Sequence, residues 1–359
     1  MSNAYNVLIM GASYGSLLGT KLLLAGHSVT LVCTAPTAEL INSEGTLVKI
    51  PVRGRDELVH VASKKLKASL RACVPEKVNP KDYDLVVLGM QEPQYRVEGV
   101  RELLDAVGKA RIPAMAIMNM PPLPYLARLP KIDVDALLPN FTDPSVWKNF
   151  DPDLVTLASP DPQAFRPPEE GKHVLQVSLP TNFKVARFAS EAHTKMLTQI
   201  QDDMADIEFE LPDGTTTPLP VKLKVFESLY VPLAKWSMLV TGNYRCIKQT
   251  EMVSIRDAVH ADLDESKRVY QWVVDLCVKM GADKADMVPF DKYANAAKGL
   301  SKPSSGARAV FGGASDIERV DSLVQAVGRQ FDMKLDALEQ TVSYVDERLT
   351  MNRSVQKAG

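Results

Sequence analysis

Two stretches of this 359-residue chain hold residue types whose spacing could do chemistry. In the first, IMGASYGSLLGT at residues 9–20, an apolar run (Val7, Leu8, Ile9, Met10) stops at Gly11, and further glycines follow at 15 and 19. Glycines between a strand and a helix let backbone N–H groups come close to a ligand, and the helix N-terminus favours a pyrophosphate. The residues that would form such a cradle are Gly11, Ala12, Ser13, Tyr14, Gly15 and Ser16. The spacing departs from GxGxxG, with Ser13 at the middle position and one residue fewer, so a tight turn without a ligand is the competing reading. The second stretch is PLAKWSM, where Lys235 stands among Leu233, Ala234, Trp236 and Met238. A lysine there either carries its ammonium out to water along an apolar stem, or holds it in place for a function. Other chemistries lack their residues. The five histidines (27, 60, 173, 193, 260) have no metal-ligand spacing, and there is no GxSxG.

The elements that must carry these groups alternate at first. Asn6–Met10 reads as a strand, 15–25 as a helix with leucines at helical period, and 28–33 as a buried strand. A short helix at 38–42, strands at 46–52, 58–62 and 84–88, an amphipathic stretch at 94–109 and a strand at 114–118 follow. Such alternation predicts a parallel sheet covered on both faces. Residues 121–170 are rich in proline and are expected to be irregular and to wrap the surface. A strand at 174–179, a helix at 191–204 and a hairpin turning at PDG come next. From Phe226 onward the periodicity is helical, over 226–242, 252–280 and 315–347. The expected organisation is an α/β fold in two domains. Residues 1–205 form a Rossmann-like, doubly wound nucleotide-binding domain with a proline-rich insertion at about 121–170, and residues 206–359 form an all-helical domain carrying Lys235.

Composition excludes several classes. Apolar residues make up 45% and charged residues 24%, the balance of a soluble globular protein. A net charge of −2 provides no basic field for nucleic acid or an acidic membrane surface. No apolar run is long enough to span a membrane, and no basic region followed by an apolar stretch marks a signal peptide. Cys33, Cys73, Cys246 and Cys277 form no CxxC pair and read as thiols of a reducing compartment, so the cytoplasm is the expected location.

Islands along the chain carry a family resemblance. GSLLGTKLLLAGHSVTLV resembles the opening of the ketopantoate reductases, with Gly15, Ser16, Gly19, Ala25, Gly26 and His27 in register. DLVVLGMQEPQ, AIMNM, KWSMLVTGN, KPSSG and GGASDIE are similar to later segments of that family and occur in the same order. The resemblance implies a 2-dehydropantoate 2-reductase-like oxidoreductase that reduces a small 2-keto acid with a nicotinamide cofactor, and so a place in pantothenate biosynthesis. It implies Lys235 as general acid, Asn119 beside nicotinamide and substrate, Asn243, Ser304 and Ser305 as substrate contacts, and an acidic role for Asp316, with Glu318 or Asp321 able to replace it. The serines also suit a helix cap, and the acids a helix N-terminus. On an ideal α-helix Asn243 would lie about 80° around and roughly 12 Å along from Lys235.

The departures bear on substrate and cofactor. Leu239 and Met120 stand where the family has asparagine and glycine, which favours a bulkier substrate. The second strand ends Cys33-Thr34, with neither the acid that would bind ribose hydroxyls nor the family's arginine, and Gln91 replaces a cofactor lysine. Thr34, Thr37, Arg53 and Arg55 are the remaining candidates for a phosphate contact. NADP is the expected cofactor with NAD as the alternative, and a homodimer is the expected assembly. An opine- or imine-type reductase and a nucleotide-binding sensor without turnover are the rival readings.

Overall fold

The computed structural model describes residues 4–358. The nucleotide-type alternation appears as β1 (Asn6–Met10), α1 (Gly15–Leu24), β2 (Ser28–Val32), α2 (Ala35–Glu44), β3 (Leu47–Ile50), β4 (Val59–Ala62), β5 (Leu70–Cys73), β6 (Leu85–Leu88), α3 (Val100–Ala110) and β7 (Ala114–Ile117). A four-residue α4 (Leu123–Leu126) follows, then β8 (Val155–Ser159), β9 (Gln163–Phe165), β10 (Val174–Leu179), β11 (Phe183–Ala186), α5 (Glu191–Ala205), β12 (Glu208–Glu210), β13 (Thr216–Pro218) and β14 (Leu223–Phe226). Eight strands form one sheet in the order β14-β11-β8-β7-β6-β1-β2-β5. All its pairings are parallel except β8 with β11. β6, β7 and β8 are buried along their whole length, as a sheet covered on both faces requires. A second sheet, β4-β3-β10-β9, shares the apolar core that α1, α2 and α5 cover.

Helices make up nearly all of the rest: α6 (Lys235–Met238), α7 (Ile255–His260), α8 (Leu263–Met280), α9 (Phe290–Ala297), α10 (Ser305–Phe311), α11 (Val320–Gln330) and α12 (Asp336–Ala358). The periodic stretch 252–280 is two helices, because Asp262 caps a new start by accepting from the Glu265 N–H at 2.9 Å. The stretch 315–347 is likewise divided, between α11 and α12.

The chain forms two compact units. One comprises residues 1–90, 94–125 and 145–227; the other comprises 91–93, 126–144 and 228–359. The sequence places a division at 205/206, whereas β14 pairs in parallel with β11 and carries the first unit on to residue 227. The region 121–170 corrects the expectation of an irregular surface wrap. It contains β8, every residue of which is buried in the main sheet, and residues 126–144 belong to the second unit. There Gln330 on α11 accepts from the Asp133 N–H and donates to the Asp133 carbonyl, both at 2.9 Å. No helix of the described residues is long and apolar enough to cross a membrane.

Candidate functional site

β1 is the strand where the order of the main sheet reverses: β2 and β5 lie to one side, and β6, β7 and β8 to the other. Ligands of open α/β sheets bind beyond the carboxyl ends of the strands at such a point. The loop from Gly11 to Tyr14 leaves β1 there. Gly11 takes φ +110°, and its N–H donates to the Val32 carbonyl at 3.0 Å. A Cβ on it would lie 2.7 Å from Met90 Cγ and 2.9 Å from the Gly89 carbonyl oxygen, so only glycine turns the chain here. At Gly15 a Cβ would stand 2.6 Å from Ile9 Cγ2, so this glycine lets α1 settle onto β1. The α1 N-terminus has no side-chain cap and no acid in its first turn. The Ser16 and Leu17 N–H groups donate to the Ser13 and Tyr14 carbonyls, both at 3.1 Å, and the dipole of the helix favours negative charge at this end. Ser16 Oγ is turned inward and donates to the Ala12 carbonyl at 2.5 Å. Tyr14 packs edge-on against Phe183 and donates its hydroxyl to the Pro162 carbonyl at 2.6 Å.

Thr34 is the residue before α2, and its hydroxyl donates to Thr37 Oγ1 at 3.1 Å. Asn119 lies two residues past β7, half-buried, beside the fully buried Met120. Gln91 is exposed, three residues past β6. Arg53 and Arg55 follow β3; Arg53 lines a cavity with Thr217, Pro218 and Lys222. A contact of this loop that the sequence does not mark comes from Arg166, one position beyond β9, whose Nη2 donates to the Ala12 carbonyl at 3.2 Å. It stands in the proline-rich AFRPPEEG, where no pattern ties it to a loop more than 150 residues earlier.

In the second unit Lys235 begins α6 and is half-buried between the buried Ala234 and Trp236. The helix does not continue as an α-helix. A 3-10 turn, Val231–Ala234, precedes α6, and a π-helix, Leu239–Tyr244, follows it. Such i→i+5 segments are rare and recur at functional sites. The wider turn also changes the angular offset of Asn243 from Lys235 relative to the ideal-helix expectation. Gly242 admits this geometry: Tyr293 donates to the Met238 carbonyl at 3.0 Å, and a Cβ on Gly242 would come within 2.1 Å of that hydroxyl.

Other expected residues gather around this segment. Ser304 is buried and caps α10, accepting from the Ala307 N–H at 3.0 Å and donating to the Asn243 carbonyl at 2.7 Å. Its hydroxyl is thus committed to holding α10 against the π-helix, while Ser305 is exposed. Tyr244 donates to the Glu318 carbonyl and accepts from the Val320 N–H at 3.0 Å. Burial, with Asp321 and Glu318 close by, raises the pKa of this phenol far above its ordinary range, so it stays protonated. Glu318 is buried and accepts from the Glu92 N–H at 3.4 Å. Glu92 is also buried; its carboxylate accepts from the Thr142 N–H and hydroxyl at 3.0 and 2.8 Å. The three acids separate by environment. Asp316 pairs with Arg353 on α12 at 2.9 Å. Asp321 is fully buried in a two-pronged pair with Arg319, both contacts 3.0 Å, and Arg319 also reaches Asp346. Burial opposes the charge on Arg319, but these two carboxylates outweigh it and raise its pKa above the ordinary value.

Comparison with solved structures finds the same fold over nearly the whole chain. A probable 2-dehydropantoate 2-reductase from Bacillus subtilis superposes with a TM-score of 0.61 at 14% identity, covering 96% of this chain and 99% of that one. A 2-dehydropantoate 2-reductase from Methylococcus capsulatus gives 0.61 at 14% identity, over 97% of each chain. A D-mandelate dehydrogenase solved with NADH and anilino(oxo)acetate gives 0.62 at 12% identity, over 97% of this chain and 99% of that one. No family profile matches the sequence, and no curated protein matches it. At these identities the likeness is one of fold, and the fold is that of the ketopantoate reductases.

Proposed function

We propose that the chain is an NAD(P)H-dependent reductase of a small 2-keto acid, resembling 2-dehydropantoate 2-reductase, with Lys235 as general acid. The observation that carries this reading is a nucleotide-type glycine turn at the reversal point of a sheet whose fold, over nearly the whole chain, is shared with keto-acid reductases. The turn fits the cofactor: its helix end lacks acids and caps, and Gly11 and Gly15 draw backbone tightly around it. Gly11 to Ser16 would hold the pyrophosphate, and Thr34 and Gln91 would contribute further contacts.

When bound, the reduced nicotinamide supplies a hydride. Lys235 holds its ammonium near the substrate's carbonyl oxygen, lowers the energy of the charge that develops there and gives up a proton to it. Asn119 and Asn243 orient the carbonyl, and Ser305 receives the carboxylate. Ser304 acts on substrate through its hold on the Asn243 backbone. Asp316 and Glu318 set the acidic side of the site. A bulkier carbonyl substrate is a second reading, favoured by Leu239 and the buried Met120 in place of a polar and a small residue. The cytoplasm as location, a homodimer as assembly and pantothenate biosynthesis as context belong to the same proposal.

The test is NADPH and NADH oxidation against a panel of aliphatic and aromatic 2-keto acids, with amines added in parallel. Lys235→Ala is expected to lower kcat by about 10²- to 10⁴-fold while dinucleotide binding is kept. A variant that retains most of its rate removes Lys235 from the mechanism. Binding without oxidation of either dinucleotide by any substrate in the panel favours a sensor.

A further inference from the structure

In sheets of this kind the end of the second strand meets the adenosine ribose, where an acid selects the free hydroxyls and an arginine accepts a 2′-phosphate. After β2 this chain runs Cys33, Thr34, Ala35, Pro36, Thr37, with no charge of either sign. A cation nevertheless reaches the place from elsewhere in the fold. Arg166 bonds the Ala12 carbonyl at 3.2 Å, on the loop after β1. It also acts on the residue that follows β2: burial and Cys73 push the Cys33 thiol up to about 11, against the pull of the Arg166 guanidinium.

Arg166 is half-buried, and among the described residues it forms no ion pair. A guanidinium withdrawn from water without a carboxylate is poised for an incoming anion. Burial lowers its pKa from the ordinary value, and no acid offsets that loss. Its position is fixed from two sides. β9 pairs with β10 immediately before it, and Tyr14 holds the Pro162 carbonyl at 2.6 Å. The next element along from Cys33 is the N-terminus of the ten-residue α2, which has no acid in its first turn. The Thr34 hydroxyl there makes no capping bond to the helix amides.

Resting on the reading of the chain as a nicotinamide-nucleotide enzyme, we propose that Arg166, supplied by the β9 segment, binds the 2′-phosphate of NADPH and makes the protein select NADPH over NADH. Thr34 is its companion at the opposite side of the phosphate. The selecting cation has moved from the strand end to a later segment, which explains why the strand end itself is uncharged.

The test is direct titration of the full chain with NADPH, NADH, 2′-AMP and 5′-AMP, followed by calorimetry, for the wild type, Arg166→Met and Arg166→Lys. The wild type is expected to bind NADPH at least about tenfold more tightly than NADH, and 2′-AMP more tightly than 5′-AMP. Arg166→Met is expected to weaken NADPH by about 10- to 100-fold, the span of a hydrogen bond to a charged group, with NADH unchanged within about threefold. Arg166→Lys keeps the charge and the stem; it gives an intermediate loss for NADPH, and decides the matter if the methionine variant fails to fold. Equal losses for NADPH and NADH, or a wild type that prefers NADH, overturn this inference and leave the proposed function standing. A wild type that binds neither dinucleotide overturns both.

Discussion

Lys21 brings an ammonium group to a place water does not reach. It lies on the buried side of α1, fully covered, and its Nζ donates to the Leu219 carbonyl at 3.2 Å. Burial, and after it the charge of Lys222, lower its pKa from 10.5 to about 8. In the unfolded chain the pKa returns to its ordinary value, so between about pH 8 and 10.5 the unfolded state holds more protons, and stability rises with pH across that window. Below it the native state carries a penalty of about 3 kcal/mol. Lys21→Met is therefore expected to raise stability at pH 7 by about 1–3 kcal/mol, with the gain fading by pH 10. Urea unfolding of both proteins at the two pH values checks this, and an equal gain at both would mean that the charge is not the cause. The helical spacing of the neighbouring leucines does not mark Lys21 as buried; its ammonium meets a carbonyl almost 200 residues away in sequence. Lys235, Asn243 and Ser304 could be singled out as candidates because they lie in short ordered islands. Arg166 could not be, because its contact with Ala12 is one that no local pattern encodes.

At the level of elements, the π-helix is where local periodicity misleads. Leu233, Trp236, Leu239 and Val240 keep an apolar face turned inward, so residues 226–242 read as one helix. The change from i→i+4 to i→i+5 bonding leaves no mark in that pattern, since it depends on Tyr293 entering beside Gly242. Gly242→Ala puts a methyl group where the Tyr293 hydroxyl lies. A loss of about 1–3 kcal/mol is expected from the overpacking, and adding Tyr293→Phe should recover part of it. Thermal unfolding of the single and double variants measures the recovery, and a fully additive pair would mean that this contact does not control the turn. β8 was hidden for another reason. VTLAS is short, buried on both faces and so without alternation, and it is set among prolines that signal turns.

For the whole molecule, the alternating first half and helical second half were legible from hydrophobic period alone, and the fold class follows from them. The division into units was not. Neither unit is one continuous run of chain, because residues 126–144 leave the first for the second and β14 extends the first past α5. Strand partners separated by many residues are set by packing, and sequence spacing does not reveal them. Ligand linkage gives a global check: NADPH at about 100 times its Kd should stabilise the native protein by about 2.7 kcal/mol. For a unit of about 200 residues, that raises its Tm by roughly 5–10 °C. A melting curve that NADPH leaves unmoved would argue against nucleotide binding.

The placement of β14 has a consequence for biosynthesis. Its partner β11 reaches residue 186, yet the strand that covers that edge ends at Phe226. A growing polypeptide paused anywhere between them presents β11, in place of β14, as the outermost strand of the sheet, and an edge strand can recruit strands from other nascent chains. At 5–20 residues per second the exposure lasts on the order of a few seconds.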